Sequence, residues 1–213
     1  MEFARIEDAD LTLIFLYLTK TMPYSLLLTE LRRIVSFPDK DFLKLTPLIE
    51  RIEVKKNEHL LRAGGVSRNV YFIEKGCLRQ YLINSNAEER NIYFKVEGDW
   101  CSELRSFLND RPTDLNLQAL EDGTLLAFNQ KNWIHAVTHV PPFTMYFIKA
   151  QQETNYILKK RLGEATIETP EEKYTRFLKE EPQLLLRLPL FQIAAYLGIT
   201  PETLSRIRKK ISR

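Results

Sequence analysis

Side chains that could contact DNA are concentrated in the run TPETLSRIRKK, which begins at Thr200. A glutamate can accept a hydrogen bond from cytosine N4, and an arginine can pair with guanine O6 and N7 or with a phosphate. Glu202 and Arg206 stand four residues apart, so a single helix would present both from one face. We therefore predict that these two residues contact bases.

Hydroxyl and cationic side chains of the same run could bind the DNA backbone or a base edge. Two of them have simpler alternatives, since Thr200 can cap a helix and Arg208 can be a solvated surface residue. The predicted DNA-binding set is Thr200, Pro201, Glu202, Thr203, Ser205, Arg206, Arg208 and Lys209.

Positive charge is concentrated at this end of the chain. Residues 200–213 contain five lysines or arginines and one glutamate, a local net charge of +4, whereas the whole 213-residue chain has a formal net charge of +3. The rest of the chain is therefore close to neutral, and the positive potential lies at one end. A basic terminus is also common on a solvated helix face, so the surrounding pattern decides between the two.

The pattern of residues 190–211 predicts two helices joined by a turn. Gly198 stands where the chain must reverse, and glycine adopts a positive φ without steric cost. Ala194 is small enough to let the two helices cross closely, and Pro201 fits the first turn of the second helix. This is typical of a helix-turn-helix unit that places helix 200–211 in a major groove. The alternative is a helical hairpin that only packs. The apolar positions expected to be buried are Ile193, Leu197, Leu204, Ile207 and Ile211.

A long helix is predicted before this unit, because residues 143–162 contain neither proline nor glycine. We expect it to end at Gly163. A separate helix should begin at a capping box formed by Thr169 and Glu172, and should end near Pro182. Apolar or small residues recur along the long helix at steps of four and three, which favours a dimer seam over packing on the chain's own barrel. The predicted seam consists of Phe143, Phe147, Ala150, Thr154 and Ile157.

The first half of the chain changes from helical to strand-like spacing. Helical patterns cover residues 24–50 and are broken at Pro38 and Pro47. Seven short runs rich in β-branched and aromatic residues follow between residues 52 and 128, which predicts an antiparallel barrel or sandwich. The run CSELRSFLNDRP predicts one helical turn and a loop between two strands, and QKNWIHAVTHV predicts a short helix that ends at Pro141.

Two cysteines constrain the chemistry. Cys77 is expected in a strand and Cys101 in a loop. Two cysteines provide neither a disulfide framework nor the four thiolates of an iron–sulfur cluster.

The apolar run at residues 11–18 is too short to span a bilayer, which needs about 20 residues. We therefore expect a cytoplasmic protein with no membrane segment.

The segment TPEEKYTRFLKEEPQLLLRLPLFQIAAYLGITPETLSRIRKK resembles the C-terminal domain of the Crp/Fnr superfamily of transcriptional regulators (cyclic-AMP receptor protein and fumarate–nitrate reduction regulator). The runs VYFIEKGCLRQY, FKVEGDWCSEL and LQALEDGTLLAF resemble that superfamily's cyclic-nucleotide-binding β-roll. The similarity covers residues 25–211 and looks closest to short, Bacteroidetes-like variants. It implies an α+β fold: a jelly-roll (double-stranded β-helix) sensor, a long dimerisation helix and a helix-turn-helix domain without a C-terminal wing.

The resemblance implies a homodimer that regulates transcription at a roughly palindromic operator. The expected partners are double-stranded DNA, a second copy of the chain, RNA polymerase and an unidentified small-molecule effector. The predicted units are an N-terminal extension at residues 1–24 that contributes little, a sensor at 25–140, a dimerisation helix at 141–163 and a DNA-binding domain at 164–213.

The sequence departs from the family pattern in both halves. Glu103 matches the glutamate that binds the ribose of a cyclic nucleotide, but Thr113 and Asp114 stand where an arginine–serine pair holds the phosphate. Losing the arginine and adding a carboxylate disfavours phosphate, so we do not expect cyclic-nucleotide binding, and Glu103 could instead cap a local turn. Pro201 replaces a long basic residue that contacts guanine in several members, so their operator sequences do not transfer. The implied effector pocket is Glu103, Thr113 and Asp114.

Two other functions fit parts of the pattern. The chain could be a regulatory or scaffold module with a cyclic-nucleotide-binding-like domain that does not contact DNA. A cupin-type metalloenzyme would share the barrel and use histidines as metal ligands. The histidines are His59, His135 and His139, and the last two have helical rather than strand spacing. We therefore expect no metal held by these histidines and no enzymatic activity; the sequence assigns no cofactor, and a haem stays open as an alternative without a candidate ligand.

Overall fold

The computed structural model describes residues 24–211. The predicted N-terminal extension therefore lies outside the described residues except for Tyr24, as does the apolar run at residues 11–18. None of the described helices is long and apolar enough to cross a membrane.

The described chain begins with two short helices that end where the sequence predicted a break. Helix α1 (Ser25–Ile34) buries Leu27, Leu28 and Leu31 on one face. Helix α2 (Asp39–Leu45) starts after Pro38, which is extended and cannot continue a helix, and a 3₁₀ turn (Thr46–Leu48) follows.

Two four-stranded antiparallel sheets follow in the described residues, as the strand-like spacing predicted. The first sheet has the order β1-β8-β3-β6 and the second has the order β2-β7-β4-β5. These sheets form the predicted jelly-roll fold, and we call residues 25–140 the sensor half after the role that the sequence predicts for them. The first sheet contains β1 (Glu50–Val54), β3 (Asn69–Lys75), β6 (Trp100–Cys101) and β8 (Gly123–Asn129), and the second contains β2 (His59–Leu61), β4 (Leu78–Ile83), β5 (Glu89–Lys95) and β7 (Asn116–Ala119).

The two cysteines occupy the reverse of their predicted positions. Cys77 lies in the turn between β3 and β4, next to Gly76 with its φ of 111°. Cys101 lies in β6, where it pairs with Tyr71. Strand β6 has only two residues, too few to produce an alternating pattern in the sequence, so this position could not be predicted.

Helix α3 (Leu104–Asn109) confirms the predicted helical turn between two strands. Helix α4 (Gln130–His139) confirms the short helix before the proline pair. Its side chains join an aromatic cluster between the first sheet and the helices, in which Trp133 and Phe143 lie 5.3 Å apart and are nearly perpendicular.

Helix α5 (Pro141–Ile167) runs through Gly163 without interruption, so the predicted helix end at Gly163 is wrong. A glycine costs a helix interior only about 1 kcal/mol, which tertiary contacts offset. The Arg161 side chain donates hydrogen bonds to Tyr196 at 2.5 Å and to Glu181 at 2.9 Å, which tie this part of the helix to the C-terminal helices.

The predicted dimer seam lies mostly against the chain's own sensor half. Phe143 is completely buried in the aromatic cluster, and Phe147 and Ala150 pack against the same cluster. Phe143 is therefore not available to a second copy. The alternative, a helix packed on its own barrel, describes this face of α5.

Four helices form the C-terminal unit. The capping box at Thr169 and Glu172 is present as predicted, with hydrogen bonds in both directions. Gly198 has a φ of 69°, the left-handed conformation that the predicted turn requires. The helices are α6 (Pro170–Glu180), α7 (Leu184–Arg187), α8 (Leu190–Leu197) and α9 (Pro201–Ile211).

Candidate nucleic-acid interface and ligand cavity

Helix α9 buries an apolar face and exposes a polar one. Leu204 is completely buried, Ile207 is 8% exposed, and both join the core of the C-terminal helices. Ile211 is 43% exposed, so the predicted apolar face is buried only in its first part. The exposed side chains include Glu202, Ser205, Arg206, Arg208 and Lys209.

The start of α9 is organised by a chain of hydrogen bonds. The Thr200 hydroxyl accepts the backbone amide of Thr203 at 3.2 Å, which confirms Thr200 as the helix cap. Arg206 Nη2 donates to the Thr203 hydroxyl at 3.2 Å, so this side chain extends along the helix surface towards its N-terminus. The structure therefore brings Thr200, Thr203 and Arg206 together and leaves Pro201 exposed in the first turn.

Glu202 is ionised at neutral pH in this setting. Its own backbone amide and then the Thr200 hydroxyl hold the pKa of the Glu202 carboxyl below its usual range. A carboxylate in the first turn of a helix interacts favourably with the helix dipole. At the other end, Lys210 Nζ donates to Glu171 of α6 at 2.6 Å.

The C-terminal helices share an apolar core with the second sheet. Cys77 and Phe94 of the sensor half lie in one cluster with Phe177, Ile193 and other residues of the C-terminal helices. The rings of Phe94 and Tyr196 lie 5.2 Å apart. The two halves therefore contact each other through buried apolar surface, which favours their association.

A buried polar network crosses the same contact. Arg79 of β4 is 5% exposed and donates through Nη1 to Gln192 Oε1 of α8 at 3.1 Å. Asn91 of β5 donates to the Gln192 backbone oxygen at 3.0 Å and to its side-chain oxygen at 2.7 Å. At the edge, Arg187 pairs with both Glu97 and Glu121, which raise its pKa.

A cavity of about 530 Å³ lies between the second sheet, helix α3 and helix α5. Of the three predicted effector residues only Glu103 lines this cavity. The Glu103 carboxylate is already hydrogen-bonded to the backbone. It accepts the backbone amides of Arg105 at 3.2 Å and Ser106 at 2.6 Å, so the alternative role of Glu103 as a helix cap is confirmed.

Thr113 and Asp114 do not line the cavity. The backbone of Thr113 pairs with Gly64 at 2.7 Å and with Gly65 at 3.0 Å, which fixes the loop before β7 against another turn. The predicted grouping of these two residues with Glu103 is therefore not formed.

Sequence reasoning missed the polar residues that do line the cavity. Gln80 of β4 and Tyr93 of β5 face each other in register, and Thr154 of α5 lines the same space. The signal was the glutamine next to Arg79 in the strand-like run CLRQYLIN, where alternation places Arg79 and Gln80 on opposite faces.

The cysteines and histidines are the other residues that could carry chemistry. Burial raises the pKa of the Cys77 and Cys101 thiols to about 12, so both stay protonated. His59 Nε2 pairs with the Tyr81 hydroxyl at 3.0 Å, while His135 and His139 stack on the exposed side of α4. In residues 24–211 no group of three or more histidine, cysteine or acidic side chains could hold a metal.

Helix α5 has a second, exposed apolar face. Met145 and Ile148 are 49% and 46% exposed, and Tyr156 is 68% exposed. With Gln152 they lie on one side of the helix, opposite Phe143 and the cavity. We call these four residues, Met145, Ile148, Gln152 and Tyr156, the outer stripe.

Residues 51–139 match the cyclic nucleotide-binding domain family. No curated protein matches the sequence significantly. The chain resembles several solved structures in fold at low identity. They include a CooA variant from Carboxydothermus hydrogenoformans (20% identity, TM-score 0.63, 78% of this chain and 77% of that chain), the c-di-GMP-responsive global regulator CLP of Xanthomonas campestris (14%, 0.67, 82% and 92%) and the catabolite activator protein of Thermus thermophilus (18%, 0.52, 86% and 86%).

The matched domain and the shared fold confirm the predicted resemblance to the Crp/Fnr type in fold. The closer likeness to Bacteroidetes-like variants stays a prediction.

Proposed function

We propose that this chain, which carries a cyclic nucleotide-binding domain and has the fold of Crp/Fnr-type regulators, is a transcriptional regulator that binds DNA as a homodimer. The observation that carries the proposal is the pair α8 and α9. The left-handed Gly198 turn joins them, the apolar side of α9 is buried, and its polar and basic side faces solvent. This arrangement suits a helix-turn-helix unit whose second helix enters a major groove.

The roles within the unit follow from the exposed side chains. Arg206 pairs with a guanine or a phosphate, and Glu202 accepts a hydrogen bond from a cytosine. Thr203 and Ser205 contact the backbone or base edges, and Arg208 and Lys209 neutralise phosphates. Thr200 and Pro201 fix the start of the helix rather than contacting bases.

The test is DNA binding by the full chain to a genomic fragment library at two salt concentrations. Affinity should fall steeply as salt rises, because each neutralised phosphate releases counterions. Arg206→Ala should weaken binding to a selected fragment by about tenfold, since a bidentate base contact contributes ~1–3 kcal/mol. Fluorescence anisotropy measures both effects.

Lys131→Ala is the matched control, because it also removes one positive charge but changes an exposed residue of α4. It should leave affinity unchanged. Absence of binding at low salt would overturn the proposal and favour a regulatory module that does not contact DNA. If Arg206→Ala unfolds the protein, Arg206 is structural.

We assign dimerisation to the outer stripe, because three of its four side chains present exposed apolar surface and it lies on a 27-residue helix. Ile148→Glu should convert the dimer to a monomer in sedimentation equilibrium, because it buries a charge in the interface. The control Ile134→Glu makes the same change at a residue of α4 that is 50% exposed, and should stay dimeric. A monomeric wild-type protein, or a dimeric Ile148→Glu variant, would rule this interface out.

A further inference from the structure

A mostly buried glutamine lines the cavity between the second sheet and α5. Gln80 is 7% exposed and lines the cavity, and its side chain forms no hydrogen bond to the described part of the chain. Buried polar side chains are nearly always paired, because leaving one unpaired is costly. Gln80 is therefore available to a molecule in the cavity, both as a donor and as an acceptor.

Two further polar groups face the same space. Tyr93 lies directly opposite Gln80 in the antiparallel register of β4 and β5, so the two side chains share one face of the sheet. Burial raises the pKa of Tyr93, so its hydroxyl stays protonated and can donate. Thr154 lines the cavity from α5. Neither hydroxyl has a hydrogen-bond partner within residues 24–211.

The cations of the cavity are already neutralised. Arg33 pairs with Glu30 at 2.8 Å and with Glu153 at 3.8 Å, and Lys95 lies 3.6 Å from Asp99. With Glu103, the carboxylates of the lining outnumber the two cations. Because the Glu103 carboxylate also occupies the first amides of α3, an anionic group would meet repulsion from carboxylates with no unpaired cation to offset it.

Much of the remaining lining is apolar, although Ser102, Gln151 and Asn155 also contribute, and the volume of about 530 Å³ is typical of a site for a small organic molecule. Trp100, Leu104, Leu115, Phe147, Ile157 and Leu158 provide apolar surface around the polar groups. A ligand that fits has an apolar or aromatic body and a small polar end.

We propose that this cavity binds an uncharged small molecule whose amide-like polar end pairs with Gln80, Tyr93 and Thr154, and that it does not take anionic ligands such as cyclic nucleotides. The proposal rests on the proposed function in so far as that function assigns a sensor role to this half of the chain. It adds the chemical class of the effector and the residues that select it.

The experiment compares uncharged and anionic probes of the same shape by isothermal titration calorimetry with the full chain at pH 7.5. The pairs are 1-naphthamide with 1-naphthoate and indole-3-acetamide with indole-3-acetate, and cyclic AMP is the third anionic probe. At least one amide should bind about tenfold more tightly than its carboxylate partner, and cyclic AMP should not bind. Trp100 and Trp133, the only two tryptophans of the chain, both line the cavity, so binding should also change the intrinsic fluorescence.

Gln80→Leu should weaken amide binding about tenfold, because it removes the paired amide at similar size. Thr154→Val is the second variant, since it changes the hydroxyl of a helix surface residue and does not disturb the sheet. Gln183→Leu, at an exposed residue, should bind like the wild type. Binding of no amide, tighter binding of a carboxylate or of cyclic AMP, or full affinity in both cavity variants would overturn the proposal.

Failure here is distinguishable from failure of the proposed function. The calorimetry contains no DNA, and the salt-dependent DNA binding and the Arg206→Ala result do not depend on it. A protein that binds DNA but no amide probe keeps the regulator role and loses this effector class.

Discussion

In the proposed complex with DNA, the Glu202 carboxylate at the start of α9 lies near the phosphates. Glu202 is ionised, since its own amide and the Thr200 hydroxyl lower its pKa. Its charge repels phosphates, and only a hydrogen bond to a base offsets that repulsion. We expect Glu202→Gln to raise affinity for random duplex DNA and to lower the ratio of specific to random affinity about tenfold. Anisotropy titrations of a selected fragment and a random duplex at one salt concentration measure this ratio.

Glu50→Gln, at an exposed residue of β1, should leave both affinities unchanged. A Glu202→Gln variant that loses affinity for both duplexes equally would mean that Glu202 acts only through the helix start.

Residues whose role depends on the local backbone were predictable, and those whose role depends on distant contacts were not. Gly198, Thr200 and the Thr169–Glu172 capping box were identified because turn and cap chemistry involves only neighbours in sequence. Gln80 and Gln192 were missed, because a buried glutamine is distinguished from a surface one only by what packs over it. The predicted Thr113–Asp114 pair failed for the same reason, since a remote turn fixes its loop.

The same substitution should have opposite effects on stability at Gly198 and Gly163, because the first has a left-handed backbone and the second lies inside a helix. Gly198 has a φ of 69°, and a methyl group on its Cα would meet no heavy atom within 4 Å, so strain alone decides the effect of Gly198→Ala. We expect it to lower the free energy of unfolding by about 1 kcal/mol, the cost of a left-handed alanine. Gly163 lies inside α5 with equally open space, so Gly163→Ala should raise stability by ~0.5–1 kcal/mol.

Urea unfolding followed by circular dichroism gives both values. Destabilisation by Gly163→Ala would mean that α5 is broken at Gly163 in solution, as the sequence predicted, while an unchanged Gly198→Ala variant would mean that the turn adopts another conformation.

Two expectations for α5 rested on local signals alone. The end at Gly163 was predicted from the glycine, whereas hydrogen bonds from Arg161 to the C-terminal helices hold this part of the helix. The seam was predicted from apolar periodicity, but α5 packs on its own sensor half through Phe143 and leaves Met145, Ile148 and Tyr156 exposed on the other side. Both faces carry apolar residues at helical spacing, so the sequence pattern does not distinguish the internal face from the outer stripe.

In the molecule as a whole, the second sheet lies between the cavity and the C-terminal helices. Consecutive residues of β4 point to opposite faces, so Gln80 lines the cavity while Arg79 bonds Gln192 of α8. The same alternation in β5 places Tyr93 towards the cavity and Phe94 in the shared core. A shift of either strand would therefore alter its contacts with the cavity and with the C-terminal helices at once. This gives a physical route from the cavity to those helices.

The strength of this contact can be measured with a substitution in one half and a probe in the other. Gln192→Ala removes the side-chain oxygen that accepts hydrogen bonds from both Arg79 and Asn91, so it should lower the free energy of unfolding by about 1–3 kcal/mol, since one of the two lost bonds comes from a charged group. Trp100 and Trp133 lie in the sensor half, and their fluorescence during urea unfolding should report the loss if the halves unfold together. Gln183→Ala, at an exposed residue of the same C-terminal unit, should leave the tryptophan transition in place. If the transition is equally unaffected by Gln192→Ala, the sheet does not couple the two halves, and a signal in the cavity would have to reach α9 through α5 instead.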